Sequence, residues 1–220
     1  PVFSMIVFTI VFGRLAQVSS DGVPYAIFSY TALVPWTYFS NSLTNASGSL
    51  VSATGMITKV YFPRLIVPIA PLLAKLIDFA IAMLILFGLM FWFGIAPTIW
   101  VLALPFLVIL MILTAAGMGM WLSALAIQYR DINYAMSFVV QLLMYAGPVV
   151  YPASSVPAQF RLLYGLNPMA GVIEGFRSAL LGTNPMPWDL IGVGTVTAVL
   201  MAISGALYFR RMELIFADVA

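Results

Sequence analysis

The sequence YPASSVPAQFRLLYGLNPMAGVIEGFR, residues 151–177, decides how the rest of the chain is arranged. It separates two strongly apolar segments, and it contains three prolines, two arginines and one glutamate. Charges and helix breaks on this scale are expensive inside a bilayer, so this segment is not a spanning helix. Its large apolar residues are equally unusual for a solvated loop. The segment therefore predicts structure that lies at an apolar boundary without crossing it.

The composition indicates that this apolar boundary is a lipid bilayer. Apolar residues make up 63% of the chain and charged residues only 7%, whereas a soluble domain carries about 25% charged residues. The net charge of +2 and the lack of a basic run argue against nucleic-acid binding. The 220 residues include no Cys and no His. This excludes disulfides, thiolate metal sites and the commonest general base within this sequence.

Six apolar segments predict an all-α membrane protein with six transmembrane helices. Each complete segment approaches or exceeds the roughly 20 residues that a spanning helix needs. The first, PVFSMIVFTIVFG, would reach only about 18 Å as a helix, so we expect a truncated first span. With no fixed-period repeat and no soluble domain, residues 1–220 are interpreted as one transmembrane domain. The other five segments cover approximately residues 24–43, 67–93, 97–127, 134–151 and 188–209.

The placement of Lys and Arg predicts the orientation, because cytoplasmic loops carry an excess of these residues. Five lie on one side of the predicted bundle and three on the other. The side with five contains the 46–66 loop, the 128–133 loop and the C-terminus, which we place in the cytoplasm. The segment 151–177 is then extracytoplasmic.

Two short helices are predicted in and just after this extracytoplasmic segment. Asn167 is a typical N-cap and Pro168 a typical first helical residue, while Gly182 is a typical C-terminal cap. The helix between them has about 14 residues, or about 21 Å, which is too short to span. On it, Glu174 and Arg177 are three residues apart and can pair. A second short helix is predicted over 156–166, and we interpret both as re-entrant or interfacial helices that cover an exit.

The second apolar segment is the least lipid-like of the six. Its sequence, PYAIFSYTALVPWTYFSNSLTN, places Tyr30, Thr37 and Asn41 on one helical face, with Tyr38 beside them. One interpretation is interhelical packing, in which hydroxyls bond across helices for about 0.6 kcal/mol each. The other is a conduit wall for a polar, uncharged solute such as a sugar. The sequence leaves both open.

Lys75 and Asp78 are three residues apart in the third segment, which is otherwise apolar. A lone charge at mid-bilayer costs roughly 2.5–3.5 kcal/mol, so we expect an intramembrane ion pair that snorkels toward the cytoplasm. A proton relay is the alternative, but it needs further titratable groups nearby.

The cytoplasmic loop NASGSLVSATGMITKVYFPR, residues 45–64, is long beside the short turn opposite. It predicts a short helix from about Ala46 to Lys59 before Pro63, and it is either a connector or a docking surface. No GxxxxGK[ST] motif occurs in the sequence, so a nucleotide-driven step would be powered by another chain.

Seven stretches, in order along the whole chain, resemble one family. They are FTIVFG, VPYAIFSYTALVPWTYFSNSL, KVYFPR, YRDINY, PVVYPASSVP, LNPMAGVIEGFR and a C-terminal FADV. Together they resemble the membrane-spanning permease subunit of a type-2 ABC transporter, in the branch that exports polysaccharides and polyol phosphates. That branch moves O-antigen, capsule or teichoic-acid chains across the bacterial cytoplasmic membrane.

The resemblance implies a homodimer of permeases that docks on two ATP-hydrolysing subunits, with ATP used by the partner and no cofactor or metal bound by the permease itself. It implies no catalytic residues. It also assigns three groups of residues. The conduit would include Tyr30, Trp36, Thr37, Tyr38, Asn41, Tyr145 and Tyr151. The ATPase-coupling loop would include Ser52, Thr54, Met56, Lys59 and Arg64, and the exit-gate helices would include Phe160, Tyr164, Asn167, Glu174 and Arg177.

Three other functions remain as alternatives to glycan export. A type-2 exporter of a drug or lipid would keep the fold, but an apolar cargo should favour an apolar wall. An intramembrane glycan-modifying enzyme needs a general base or metal ligands at a cavity, and no carboxylates stand at catalytic spacing. A passive channel would need a filter-like repeat or a charged ring, and neither is visible.

Overall fold

The computed structural model describes residues 1–53, 55, 63–129 and 131–213, and the regular structure within these ranges is helical. Helix α1 (Val2–Phe8) continues as a π-helix over Thr9–Leu15, and a 3₁₀ turn over Ile99–Ala103 directly precedes the helix that begins at Leu104. The remaining helices are α2 (Tyr25–Ser52), α3 (Ile66–Phe93), α4 (Leu104–Gln128), α5 (Asp131–Ala146), α6 (Arg161–Gly165), α7 (Pro168–Leu181) and α8 (Trp188–Glu213).

Three helical stretches are long and apolar enough to cross a membrane: Ile66–Phe93, Ile99–Gln128 and Trp188–Glu213. These stretches make the chain a multi-pass membrane protein. Helix α2 has 28 residues, but its many hydroxyl groups lower its hydropathy. Helix α5 has only 16 residues. The all-α class is confirmed for the described residues, while the count of six spans stays a prediction.

Three predicted boundaries are wrong. The short helix predicted over 156–166 covers only Arg161–Gly165, after a 3₁₀ turn over Ala158–Phe160. Helix α2 does not end near Leu43 but continues to Ser52, so no separate helix begins at Ala46. Nothing in 44–52 breaks the helix, and Leu50 is fully buried in a cluster with residues of α4 and α8. Helix α5 ends at Ala146 rather than Tyr151, because Pro148 cannot donate the next backbone hydrogen bond.

Helix α2 lies at the centre of the bundle, packed against α3 and α4, and α4 packs against α8. The α4–α8 crossing depends on glycine. A Cβ on Gly205 would lie 2.5 Å from the carbonyl oxygen of Gly117. Absence of a side chain there lets the two backbones touch, the usual device for close helix contacts in membranes.

The loops gather at two ends of the bundle. At one end, the Thr98 N–H donates to the Ala179 carbonyl at 2.9 Å, which ties the turn after α3 to α7. At the other end, the Arg64 guanidinium donates to the Glu213 carbonyl at 2.7 Å, which ties the start of α3 to the end of α8. The short helices α6 and α7 therefore lie at the end opposite the C-terminus of α8. We call the first the α7 end and the second the α8 C-terminal end.

Candidate functional site

Helix α7 is the most deeply buried element of the bundle. Its bounds confirm the prediction: the Asn167 side chain accepts a hydrogen bond from the Met169 N–H, Pro168 is the first residue, and Gly182 caps the C-terminus with a φ of 65°. All 14 residues are buried, not only the predicted apolar stripe, because α7 packs against α2, α4 and α8 together. A helix enclosed this way positions its polar side chains rigidly.

Two of those polar side chains form a buried ion pair. The Arg177 guanidinium donates from Nη1 to Glu174 Oε1 at 2.7 Å, as predicted, and the side chains are only 0% and 5% exposed. The guanidinium carbon also lies 3.6 Å from the centre of the Phe28 ring on α2, a cation–π contact. Burial lowers the pKa of Arg177, while the adjacent Glu174 carboxylate opposes that shift.

The same pair holds the loop that follows α5. Arg177 donates to the Val149 carbonyl at 3.0 Å and to the Tyr151 carbonyl at 3.3 Å, and the Ala153 N–H donates to Glu174 Oε1 at 3.1 Å. Between these contacts, the Tyr25 hydroxyl donates to the Val150 carbonyl at 2.6 Å. Buried carbonyls need donors, and this loop receives them from side chains of α7 and α2. We call residues 147–153, held in this way, the pinned loop.

Tyrosines continue this network away from the pair. Tyr164 donates to the Tyr151 hydroxyl at 3.2 Å, and Tyr151 donates to the Tyr145 carbonyl at 3.1 Å. Burial raises the pKa of Tyr164, and its hydrogen bond to Tyr151 acts in the same direction. Tyr164 also lines a largely apolar cavity of about 480 Å³, together with Phe160 and Asn167. The structure thus brings these three predicted exit-gate residues together beside the pinned loop.

Most of the predicted conduit residues on α2 are engaged in packing. The Tyr30 hydroxyl donates to the Ala82 carbonyl at 3.3 Å and the Tyr38 hydroxyl to the Leu72 carbonyl at 3.0 Å, both across to α3. Trp36 is buried, with its ring 5.5 Å from that of Phe39. These positions agree with the packing alternative, so a conduit role for them stays a prediction.

Two α2 residues behave differently. Thr37 is half-buried and Asn41 is exposed, and both line a cavity of about 190 Å³ between α2 and α3, to which the buried Tyr38 also contributes. Lys75 and Asp78 line the same cavity and form the predicted ion pair at 2.9 Å. Within the described part of the chain, the Thr37 and Asn41 side chains make no hydrogen bond to protein. They are therefore available to a polar solute.

The structure describes only two of the five predicted ATPase-coupling residues, Ser52 and Arg64. Ser52 is the last residue of α2, and Arg64 bonds the end of α8 as described above. Thr54, Met56 and Lys59 lie outside the described residues. The positions of Ser52 and Arg64 do not show what the loop contacts, so the coupling role stays a prediction.

Sequence patterns missed three residues of the α7 end. Phe28 and Tyr25 read as ordinary aromatics of an apolar segment, although they contact Arg177 and the pinned loop. Asp21 accepts from Ser154 at 3.1 Å and from Asn184 at 2.6 Å, joining three loops far apart in sequence. No local spacing signals such contacts.

Among the described residues, no three or more His, Cys, Asp or Glu side chains cluster in a way that could hold a metal.

Comparison with known proteins supports a transport fold. The chain is 24% identical to an O-antigen export system permease protein RfbA of Klebsiella pneumoniae, over 89% of the chain and 75% of that relative. It is 24% identical to the RfbA permease of Myxococcus xanthus, over 97% of the chain and 82% of the relative. The inner membrane transport permease YadH of Escherichia coli is 25% identical, over 98% of the chain and 85% of the relative.

The family model for ABC-2 type transporters matches residues 1–181, which include every helix from α1 to α7. That range contains the central helix α2, the buried pair of α7 and the pinned loop. The chain therefore belongs to the ABC-2 type transporter family.

Proposed function

We propose that the chain is the permease subunit of an ATP-driven exporter that moves a polysaccharide or lipid-linked glycan across the bacterial inner membrane. The observation that carries this proposal is the similarity to two O-antigen export permeases over most of the chain. The chain also shares 25% identity with the YadH permease, whose name gives no cargo. Export of a drug or lipid is therefore the alternative function. This chain would carry out the transport step, and a separate subunit would hydrolyse ATP.

The polar cavity between α2 and α3 supports a hydroxylated cargo. Thr37 and Asn41 offer a hydroxyl and an amide without internal partners among the described residues, and the Lys75–Asp78 pair lies in the same cavity. A charged pair at that depth is costly against lipid and is better tolerated beside water. A hydrated wall suits a sugar chain, whose hydroxyls exchange hydrogen bonds with water, and it does not suit an apolar cargo.

An exposed apolar surface of the single chain supports the proposed assembly. Helix α5 exposes Tyr134, Phe138, Leu142 and Tyr145 along one stripe, at 82%, 63%, 53% and 46%. We propose that a second copy covers this stripe in a homodimer. The end of α2 and the start of α3 both lie at the α8 C-terminal end, and we propose that the connection between them docks on two ATPase subunits.

The proposed topology is a single domain of six spans. The α8 C-terminal end is then cytoplasmic, and α6 and α7 are extracytoplasmic helices that do not cross. The six spans would be α1 with its π-helical continuation, α2, α3, α4, α5 and α8. This arrangement places the ATPase-coupling residues and the exit-gate helices at opposite faces of the membrane.

The test is to inactivate the gene in its own host and follow surface glycan and lipid-linked glycan. The proposal predicts loss of a surface glycan with accumulation of its lipid-linked precursor inside the cell. Unchanged surface glycan, with loss of resistance to a drug or a changed lipid composition, would favour the alternative cargo.

A matched pair of variants refines this test. The double variant Thr37→Val and Asn41→Leu removes the polar groups of the cavity, and Thr44→Val changes an exposed threonine of α2 that does not line it. With equal amounts of protein in the membrane, glycan export should fall only in the double variant. Equal export by the two would argue against a hydrated wall at this cavity.

A further inference from the structure

We infer that a second cavity, at the α7 end of the bundle, binds a single sugar unit of a glycan. This inference rests on the proposed function, because it names a contact point for the same class of cargo. The cavity has a volume of about 280 Å³ and is distinct from the α2–α3 cavity and from the apolar cavity beside Tyr164. Its walls come from the end of the pinned loop and the residue after it, α6, α7, the 184–187 loop and the start of α8.

Glu174 supplies a buried acceptor to this cavity. One of its carboxylate oxygens, Oε1, accepts from both Arg177 and the Ala153 N–H. The other oxygen has no hydrogen-bond partner among the described residues, although the side chain is only 5% exposed and lines the cavity. A carboxylate has capacity for about four hydrogen bonds. Spare capacity in so buried a group is best met by a donor that enters the cavity, such as a sugar hydroxyl.

Donors and apolar surface complete the lining. Arg161 on α6, Ser154 and Asn184 contribute polar groups around the cavity. Each already donates to an aspartate, so a ligand would find the Ser154 hydroxyl oxygen as an acceptor and the remaining N–H groups of Asn184 and Arg161 as donors. Met186 and Leu190 contribute apolar surface. A pyranose ring has the matching chemistry, since its hydroxyls lie around the ring edge and its C–H groups form an apolar face. Sites of this kind combine mostly apolar walls with a few placed polar groups.

The charges favour a neutral ligand over an ion. Glu174 is balanced by Arg177, and Arg161 is balanced by Asp189, to which it is hydrogen-bonded. A free anion or cation would have to compete with one of these pairs, and breaking the buried pair is strongly unfavourable. A neutral sugar can use the spare acceptor and the rim donors while both pairs stay intact.

The location suits an exported chain. The cavity lies at the α7 end, near the Asp21 loop, which contacts both Ser154 and Asn184. The proposed topology makes this end extracytoplasmic. A glycan that emerges there would meet the cavity as it passes the exit-gate helices, because α6 and α7 form part of the cavity wall.

Cysteine labelling tests the site directly, because the sequence has no native cysteine between residues 1 and 220. Ser154→Cys places a thiol on the cavity lining, and Ser155→Cys places one on the adjacent exposed residue outside it. Asn184→Cys is a second reporter on the lining, in case the first variant does not fold. Each is made in the full-length permease, assembled with its ATPase in proteoliposomes, and labelled with a membrane-impermeant maleimide.

The probes are the methyl glycosides of glucose, galactose, mannose, rhamnose and N-acetylglucosamine. At a concentration about twice its Kd, a bound glycoside leaves about a third of the sites free and slows labelling about threefold. We expect at least one glycoside to slow labelling of S154C or N184C and to leave S155C unchanged. The further change Arg161→Met, which removes a rim donor, should raise the concentration needed for protection.

The outcomes separate the site from the proposed function. If no glycoside protects either reporter while inactivation of the gene abolishes surface glycan, the sugar site is wrong and the export function stands. Equal slowing of S154C and S155C would also overturn the site, because it would reflect a general effect on the reagent. Selective protection in a protein whose loss leaves surface glycan unchanged would support the site and refute the export function.

Discussion

Replacing Arg177 with Met removes the charge at the centre of the α7 end. The substitution leaves Glu174 without its counter-charge at 5% exposure, and it removes the donor to the Val149 and Tyr151 carbonyls. Breaking a buried ion pair on one side costs about 3–5 kcal/mol. We expect R177M to lower the free energy of unfolding by that amount and to release the pinned loop.

The chain offers a matched control in Arg161. Its pair with Asp189 lies at the same end, but the two side chains are 39% and 40% exposed. Exposed ion pairs contribute about 0–1 kcal/mol, so R161M should be nearly neutral. The contrast between two Arg→Met changes then isolates burial as the cause.

A double-mutant cycle with Glu174→Gln completes the test. Residues in one buried network couple by about 0.5–3 kcal/mol, so the double variant should be less destabilised than the sum of its single variants. Unfolding is followed by circular dichroism of the purified permease titrated with SDS in mixed micelles. Additive single variants, or a loss for R177M no larger than that for R161M, would refute the idea that this pair organises the α7 end.

Two further predictions concern the helix contacts. Gly205→Ala should destabilise the protein by about 1–3 kcal/mol through overpacking, because the added Cβ would lie 2.5 Å from the Gly117 carbonyl oxygen. The control is Gly192→Ala on the same helix, where an added Cβ meets nothing within 4 Å. Its stability should be within about 0.5 kcal/mol of that of the parent protein. The same SDS titration measures both, and equal losses would contradict the close α4–α8 crossing. Tyr38→Phe removes a hydrogen bond of 3.0 Å to α3 and should cost about 0.6 kcal/mol while glycan export stays unchanged. A stable Y38F protein with impaired export would instead place this hydroxyl in the conduit wall.

Local chemistry accounts for the parts of the structure that the sequence predicted well. Asn167, Pro168 and Gly182 mark the limits of α7 because capping depends on a few neighbouring residues. The Glu174–Arg177 and Lys75–Asp78 pairs follow from helical spacing alone. The end of α5 was predicted five residues too late, since the apolar run in the sequence continues beyond Pro148.

Other features of the structure depend on contacts between residues far apart in the sequence. The sequence could not assign Tyr30 and Tyr38 between a conduit wall and interhelical packing, because the choice depends on α3 carbonyls more than 30 positions away. Nor could it show that Phe28 covers the Arg177 guanidinium or that Asp21 joins two distant loops.

The amino-acid sequence by itself determined that this chain is a helical membrane protein with a short, capped helix between two apolar segments, because composition and capping act over a few residues. Only the tertiary structure determined that this helix is buried on every side and that its ion pair holds the pinned loop. The physical reason is that a buried charge must find its partners wherever the packing of distant helices places them.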